Sequence, residues 1–156
     1  MYIFGFLAAP VLILAVLLVL SRISPAFMPS LLIPGYDMSL LIMGIFSGFM
    51  TGFFEELGWT GFAVPRLMER KGLISTGLMT GFVWGLWHLP LFLTGDPAGR
   101  VPFIIFLAVR LFTQLPAFRV LMVLVYEWTG SLLASMVMHA GLTASALILT
   151  PASTAG

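Results

Sequence analysis

The chain has 156 residues, of which 60% are apolar and only 8% charged, and it contains no cysteine. An ordinary soluble domain carries roughly 25% charged residues, so the composition argues against soluble globular, disordered and nucleic-acid-binding proteins. The net charge of +1 comes from scattered residues, and the lack of cysteine excludes disulfides, thiolate metal sites and a cysteine nucleophile. We therefore expect a membrane protein.

The first predicted element is a membrane-spanning helix over residues 1–20. A helix needs about 20 mainly apolar residues to cross a bilayer. This segment lacks the basic start and the short apolar core of a secretory signal, so we expect it to be retained. The proline-rich stretch 21–37 breaks the helix and forms the longest connection.

Four further spans follow in chain order. They are predicted from Met38 through Glu55 and Glu56 to about Pro65, over 72–94, over 101–126 with a kink at Pro116, and over 131–150. The predicted fold class is therefore all-α, a polytopic transmembrane helical bundle of about five spans. Residues 1–37 are predicted as an N-terminal helix with its connection, and 38–156 as the functional core.

Glycines recur at helical spacing on the second and third spans. The two series are Gly44, Gly48, Gly52 with Glu55, and Gly77, Gly81, Gly85 with His88. Such faces mark close helix contact in membranes, so we expect Glu55 and His88 to point toward neighbouring helices. Glu56 lies about 100° from Glu55 around a helix. We expect it to be a supporting residue with a partner of its own, an arginine or a helix dipole.

The fifth span carries a polar stripe. Ser131, Ser135, His139 and Thr143 recur every four residues on it. Glu55 and His139 each lie about 16 Å from the proposed cytoplasmic face and His88 about 24 Å from it, so the three groups can meet within the bilayer if the second helix continues past Gly58. Ionisable groups inside a membrane usually serve a function, although each histidine alone is also explained by hydrogen-bonded packing. Arg119 is expected to extend toward the interface as an anchor.

Two histidines and a carboxylate support two kinds of hydrolysis. Glu55, His88 and His139 are a ligand set suited to catalytic zinc, as in a metalloprotease. The same groups also work without metal, with a carboxylate as general base on water and a histidine or hydroxyl stabilising the oxyanion. The spacing leaves both routes open, so the predicted cofactor is zinc or none.

Three runs carry these polar residues. They are EELGWTGFAVPRL over 55–67, FVWGLWHLPLF over 82–92 and TGSLLASMVMHAGLTAS over 129–145. In order and spacing they resemble the three motifs of the CPBP intramembrane protease family, also called the Abi or type II CAAX prenyl endopeptidase family. The resemblance covers roughly residues 45–148, about two thirds of the chain. The combination is specific, although each motif alone is weak.

The resemblance implies an intramembrane endopeptidase that hydrolyses membrane-associated or C-terminal, CAAX-like peptides, with 38–156 as its protease core. It implies that Glu55 is the general base or a metal ligand and that Glu56 is its neighbour. It further implies that His88 and His139 are the remaining catalytic residues and that Trp84 is the aromatic residue preceding His88.

Two positions depart from the family pattern. The family arginine, four residues after the second glutamate, falls on Thr60, and the family asparagine or aspartate falls on Thr143. We expect Thr143 to donate a hydrogen bond to an oxyanion, and we hypothesise that Arg110 supplies the missing cation. A catalytically degenerate membrane protein that binds a partner or a toxin, as in bacteriocin immunity, is the alternative. A proton- or ion-coupled transporter ranks last, because no inverted repeat supports it.

The expected partners are the lipid bilayer and a peptide or protein substrate at the membrane, with no nucleic acid. We expect a multi-pass protein of a bacterial or archaeal plasma membrane. Arg66, Arg70 and Lys71 share one loop, which favours a cytoplasmic position for that loop. The chain is short for the family, so a minimal form and a fragment both remain open, as do the substrate and the oligomeric state.

Overall fold

The structure is a computed structural model that describes residues 2–93 and 102–151, and most of these residues are helical. The helices are α1 (Tyr2–Ser21), α2 (Met38–Gly58), α3 (Val64–Lys71), α4 (Leu73–Trp87), α5 (Leu89–Phe92), α6 (Phe103–Val109), α7 (Leu115–Thr129) and α8 (Leu132–Ile148). Turns of π-helix at Trp59–Ala63 and Arg110–Gln114 join α2 to α3 and α6 to α7. The connection after α1 contains two short 3-10 turns.

Three continuous helices in the described residues are long and apolar enough to cross a membrane: Tyr2–Ser21, Met38–Lys71 and Phe103–Thr129. The helices α4 and α8 are apolar but shorter, with 15 and 17 residues. Each of the five predicted spans is therefore helical over most of its length, and the all-α polytopic architecture is confirmed. The predicted end of the third span at Thr94 and the start of the fourth at Val101 lie outside the described residues.

Both long internal helices contain a local change of pitch. The second span continues past Gly58 as the sequence argument required, but through the π-turn Trp59–Ala63. The irregularity predicted at Pro116 begins earlier, at the π-turn Arg110–Gln114, and Pro116 itself lies in the first turn of α7. A proline has no N–H and crowds the carbonyl one turn before it, so a wider turn there accommodates the ring.

The described residues form two compact units. One comprises the chain up to Glu56 and from Leu133 onward, and the other comprises residues 57–132. The first unit contains α1, most of α2 and nearly all of α8, and the second contains α3 to α7. The boundary predicted between residues 37 and 38 stays a prediction.

In the first unit, glycines let the helix backbones approach each other closely. A Cβ atom on Gly52 would lie 2.5 Å from the carbonyl oxygen of Met136, so α2 and α8 touch where no side chain fits. A Cβ atom on Gly141 would lie 2.6 Å from the carbonyl oxygen of Phe6, so α1 meets α8 in the same way. The predicted contact of the α2 glycine face with a neighbouring helix is confirmed.

The connection between α1 and α2 is fastened to the end of α8. The Ser30 N–H donates to the carbonyl oxygen of Thr150 at 2.9 Å, and the Tyr36 hydroxyl donates to that of Ile148 at 3.3 Å. These bonds satisfy carbonyl groups at and just beyond the last turn of α8, which have no partner within the helix.

In the second unit, α4 lies against α7 along its own glycines. A Cβ atom on Gly77 would lie 2.5 Å from Cα of Val120, and one on Gly81 would lie 2.5 Å from Cα of Pro116. The predicted glycine face of the third span is therefore a helix contact as well. It holds the end of α4, where His88 follows, against the residues of α7.

Candidate functional site

The most direct contact between predicted site residues joins α2 to α8 in the first unit. Oε1 of Glu56 lies 2.7 Å from Nδ1 of His139, and the two residues are 0% and 1% exposed. The glycine face runs through Gly52 to Glu56, four residues on, whereas Glu55 is half-buried. The expectation that this face selects Glu55 is therefore wrong, because the helix keeps a four-residue step up to its buried carboxylate.

His139 is one partner of Glu56 in the structure, and the predicted arginine or helix-dipole partner stays a prediction. An ionised carboxylate only accepts hydrogen bonds, so with Glu56 ionised the contact requires the tautomer of His139 in which Nδ1 carries the proton. This bond fixes the orientation of the imidazole ring. The pair thus has the form of a histidine oriented by a buried carboxylate.

A second contact, one turn along the same two helices, joins two hydroxyls. Oγ1 of Thr51 lies 3.1 Å from Oγ1 of Thr143. Thr51 precedes Glu55 by four residues and Thr143 follows His139 by four. Because the helices run antiparallel, the half-buried Glu55 lies at the His139 end of this contact.

His88 belongs to the second unit, at the junction of α4 and α5. Its Nδ1 lies 2.9 Å from the carbonyl oxygen of Trp84, so this nitrogen carries the proton as in His139. The half-buried imidazole stands edge to face with the Trp84 ring, with centroids 5.1 Å apart, and is stacked 6.1 Å from the Phe92 ring. A carbonyl and two aromatic rings therefore hold its orientation.

The two arginines of the fourth span have different environments. Arg119 is 0% exposed, and Cζ lies 4.3 Å from the centre of the Trp84 ring and 5.8 Å from that of Trp59. The expectation that Arg119 extends to the interface as an anchor is wrong. Arg110 is half-buried, donates to Oε1 of Gln114 at 2.8 Å and lies near phenylalanine rings.

The family profile described as type II CAAX prenyl endopeptidase Rce1-like matches residues 37–145. The chain belongs to the Rce1-like family. It is also similar to CAAX prenyl protease 2 of Methanococcus maripaludis, with 47% identity over 38 residues, 24% of this chain. That match spans 14% of the relative's length. No solved structure matches the chain.

The matched region contains every predicted site residue of this Rce1-like protein. Glu55, Glu56, His88, His139 and Thr143 all lie between residues 37 and 145. Family membership and the three long apolar helices make the chain an integral membrane protein.

Over the residues that the structure describes, neither unit by itself brings together the three protein ligands that catalytic zinc uses. Among the described residues of either unit, no three histidine, aspartate or glutamate side chains form a group that could hold a metal ion. Glu56 and His139 supply two donors, and catalytic zinc uses three protein ligands. The ligand set Glu55, His88 and His139 stays a prediction, and no reaction step is assigned to a metal below.

An apolar cavity of about 670 Å³ lies in the first unit of the Rce1-like protein. Residues of α1, α2 and α8 line it, among them Leu7, Phe49 and Ala140. Ala140 follows His139 directly, so the cavity begins beside the helix turn that carries the histidine. The volume is within the range of about 300–1,000 Å³ typical of small-molecule sites.

Neither the contact of Thr51 with Thr143 nor the burial of Arg119 was predicted from the sequence. Thr51 lies one turn before Glu55, and that spacing was a signal that it shares the Glu55 face. Arg119 lies ten residues before the end of α7, about 15 Å along the helix axis. That depth is about half of the hydrocarbon core and too far for an arginine to reach the interface easily.

Proposed function

We propose that this Rce1-like protein is an intramembrane endopeptidase that hydrolyses peptide bonds of membrane-associated or C-terminal, CAAX-like peptides. The observation that carries the proposal is the buried Glu56–His139 contact at 2.7 Å within the family-matched region. A buried ionisable pair contributes little to stability because of its desolvation cost, so its presence inside a membrane protein favours a functional role.

In the proposed reaction, Glu55 is the general base. Its half-buried carboxylate removes a proton from water while the water oxygen attacks the scissile carbonyl carbon. The tetrahedral intermediate then collapses, the carbon–nitrogen bond breaks, and the protonated Glu55 returns the proton to the leaving nitrogen. The products are a carboxylic acid and an amine, so atoms and charge balance.

His139 and Thr143 have supporting catalytic roles in this proposal. Glu56 holds the imidazole so that the Nε2 lone pair of His139 accepts a hydrogen bond from the attacking water. The Thr143 hydroxyl, in contact with Thr51, donates to the developing oxyanion. The single hydroxyl proton of Thr51 also faces the carbonyl oxygens of Ser47 and Gly48, so for Thr143 to donate to the oxyanion this proton must turn to the Thr143 oxygen.

His88 is proposed as the second catalytic histidine. Its Nδ1 proton is engaged by the Trp84 carbonyl group, which leaves the Nε2 lone pair for proton transfer. The aromatic contacts with Trp84 and Phe92 restrict the ring to one orientation, as a proton-transfer group requires.

The apolar cavity supports a substrate with a hydrocarbon part. It is an open groove lined mainly by α1, α2 and α8 and begins next to His139, so an apolar group bound there would hold an attached peptide near the Glu56–His139 pair. The name of the archaeal relative, a CAAX prenyl protease, agrees with a lipid-modified peptide. The same relative is compatible with the proposed location in a bacterial or archaeal plasma membrane.

The test is cleavage of prenylated CAAX-like peptides by purified protein in liposomes. We expect Glu55→Gln to lower kcat by about 10²–10⁴-fold, since it removes the general base. Glu56→Gln keeps an oxygen that accepts from His139, so we expect a smaller loss. Glu69→Gln is the matched control, because Glu69 is exposed near the end of α3 and should leave kcat unchanged.

Each reaction is run with a chelator and with added zinc. Loss of cleavage with the chelator and recovery with zinc would support the metalloprotease route, and indifference would support the glutamate route. Full activity of Glu55→Gln would contradict the assigned base. A folded wild-type protein that cleaves none of a broad set of peptides would favour the degenerate partner- or toxin-binding alternative.

A further inference from the structure

Arg119 is a fully buried arginine in the middle of the fourth span. A guanidinium inside a membrane carries a large desolvation cost, and such residues mark functional sites. The close approach of α4 and α7 holds its backbone, since a Cβ atom on Gly81 would lie 3.0 Å from Cβ of Arg119. Its position is therefore set by helix packing and not by a flexible loop.

Two tryptophans surround the guanidinium. Cζ of Arg119 lies 4.3 Å from the Trp84 ring centre and 5.8 Å from the Trp59 ring centre, both within the range of cation–π attraction. Arginine suits such a site better than lysine, because its planar group stacks on aromatic faces and is weakly hydrated. Arg119 thus connects a residue of the first sequence motif with one of the second.

Trp84 transmits this contact to a predicted catalytic residue. Its ring stands edge to face with the His88 imidazole, with centroids 5.1 Å apart. Its carbonyl oxygen accepts from Nδ1 of His88 at 2.9 Å. A cation that fixes the Trp84 ring therefore also fixes the surface against which the His88 ring rests.

We propose that Arg119 is a positioning residue of the hydrolytic site, holding Trp84 against His88 and supplying the positive charge that the first motif lacks at Thr60. Thr60 is 1% exposed and directly follows Trp59, the other ring that the guanidinium faces. This inference rests on the proposed function of His88. The hypothesis that Arg110 supplies the cation stays a prediction, and Arg110, which contacts Gln114 and two phenylalanine rings, is compared with Arg119 in the tests below.

The first test does not depend on activity. The chain has two histidines, so ¹⁵N-histidine labelling gives two sets of imidazole signals, which His139→Gln assigns. We expect Arg119→Met to shift the imidazole resonances of His88 and to leave those of His139 in place. Arg66→Met is the matched control, because Arg66 also stacks on an aromatic ring, 3.7 Å from that of Phe62, but is exposed.

The second test uses the cleavage assay. We expect Arg119→Met to lower kcat about 10- to 100-fold with little change in KM, because a slightly misplaced catalytic group slows the reaction. Arg119→Lys should retain part of the activity, and Thr60→Arg combined with Arg119→Met should recover part of what Arg119→Met alone loses. A structural role alone predicts no such rescue.

The proposal is overturned if Arg119→Met leaves both the His88 resonances and kcat as in the wild type. It is also overturned if Arg110→Met reproduces the loss while Arg119→Met does not. If Arg119→Met fails to fold, Arg119→Lys takes its place in the resonance test, and unchanged His88 signals with unchanged kcat there count against the proposal. A wild-type protein that cleaves no peptide contradicts the proposed function, while the resonance test still decides the placement of His88.

Discussion

Substituting Gly52 by alanine tests whether the backbone contact of α2 and α8 sets the geometry of the Glu56–His139 pair. The added Cβ would lie 2.5 Å from the Met136 carbonyl oxygen, against an ordinary contact of 3.4–4 Å, so the helices must separate by about 1 Å (3.4 − 2.5 = 0.9). Glu56 lies one turn beyond Gly52 on the same face. The 2.7 Å hydrogen bond would then lengthen beyond the usual limit of about 3.2 Å.

Gly52→Ala has two opposing effects on the free energy of unfolding, whereas nothing offsets its effect on kcat. Forcing an extra carbon into a packed contact costs about 1–3 kcal/mol, and replacing glycine by alanine inside a helix returns up to about 1 kcal/mol. We therefore expect a net loss of about 0–3 kcal/mol in the free energy of unfolding, together with a fall in kcat of about 10- to 100-fold from the misplaced pair.

The assay combines thermal unfolding in detergent with cleavage kinetics. Gly58→Ala is the matched control, since its Cβ would meet no atom within 4 Å and the helix should be as stable as before or more so. Gly52→Ala with the stability and kcat of the wild type would refute the reasoning. An equal loss of kcat in Gly58→Ala would also refute it.

Two further predictions concern hydroxyl and carboxyl groups at helix contacts. Thr51→Val should lower kcat about fivefold, because it removes about 1 kcal/mol of hydrogen bonding to Thr143. Thr51→Ser keeps the hydroxyl and should leave kcat unchanged. Cleavage kinetics measure both variants, and equal kcat values for them would contradict the role of Thr51. Hydrogen bonds from Ser39 at the start of α2, first from its hydroxyl and then from its N–H at 2.9 Å, hold the pKa of Asp37 below its usual value. The stability they contribute is therefore present above that value and lost as pH falls through the lowered pKa in the folded protein. Asp37→Asn should flatten this acid-side dependence in thermal unfolding, and an unchanged slope would contradict the assignment.

The helices were predictable from the sequence because length and hydropathy dominate in a membrane protein. Each apolar segment must satisfy its backbone hydrogen bonds internally, so the five predicted spans are helical over most of their length. The glycine faces also predicted which sides of α2 and α4 meet other helices. The π-turns were not predictable, since proline indicated an irregularity but not the turn of the helix that absorbs it.

The site was less predictable because a single residue step rotates a side chain by about 100°. The choice between Glu55 and Glu56 depended on whether the glycine face ended with a step of three or four, and packing against α8 decided it. The burial of Arg119 depended on Trp59 and Trp84, which tertiary structure brings to it. The pairing of Thr51 with Thr143 likewise required the register of two helices.

The central claim, hydrolysis of a peptide bond with Glu55 as base, is tested most directly by cleavage in ¹⁸O-labelled water with mass analysis of the products. We expect the wild-type protein to introduce one ¹⁸O atom into the new C-terminal carboxylate of a prenylated peptide. Folded Glu55→Gln should form almost none of this product. Cleavage by Glu55→Gln at the wild-type rate, or no cleavage by folded wild-type protein across a broad peptide set, would contradict the account.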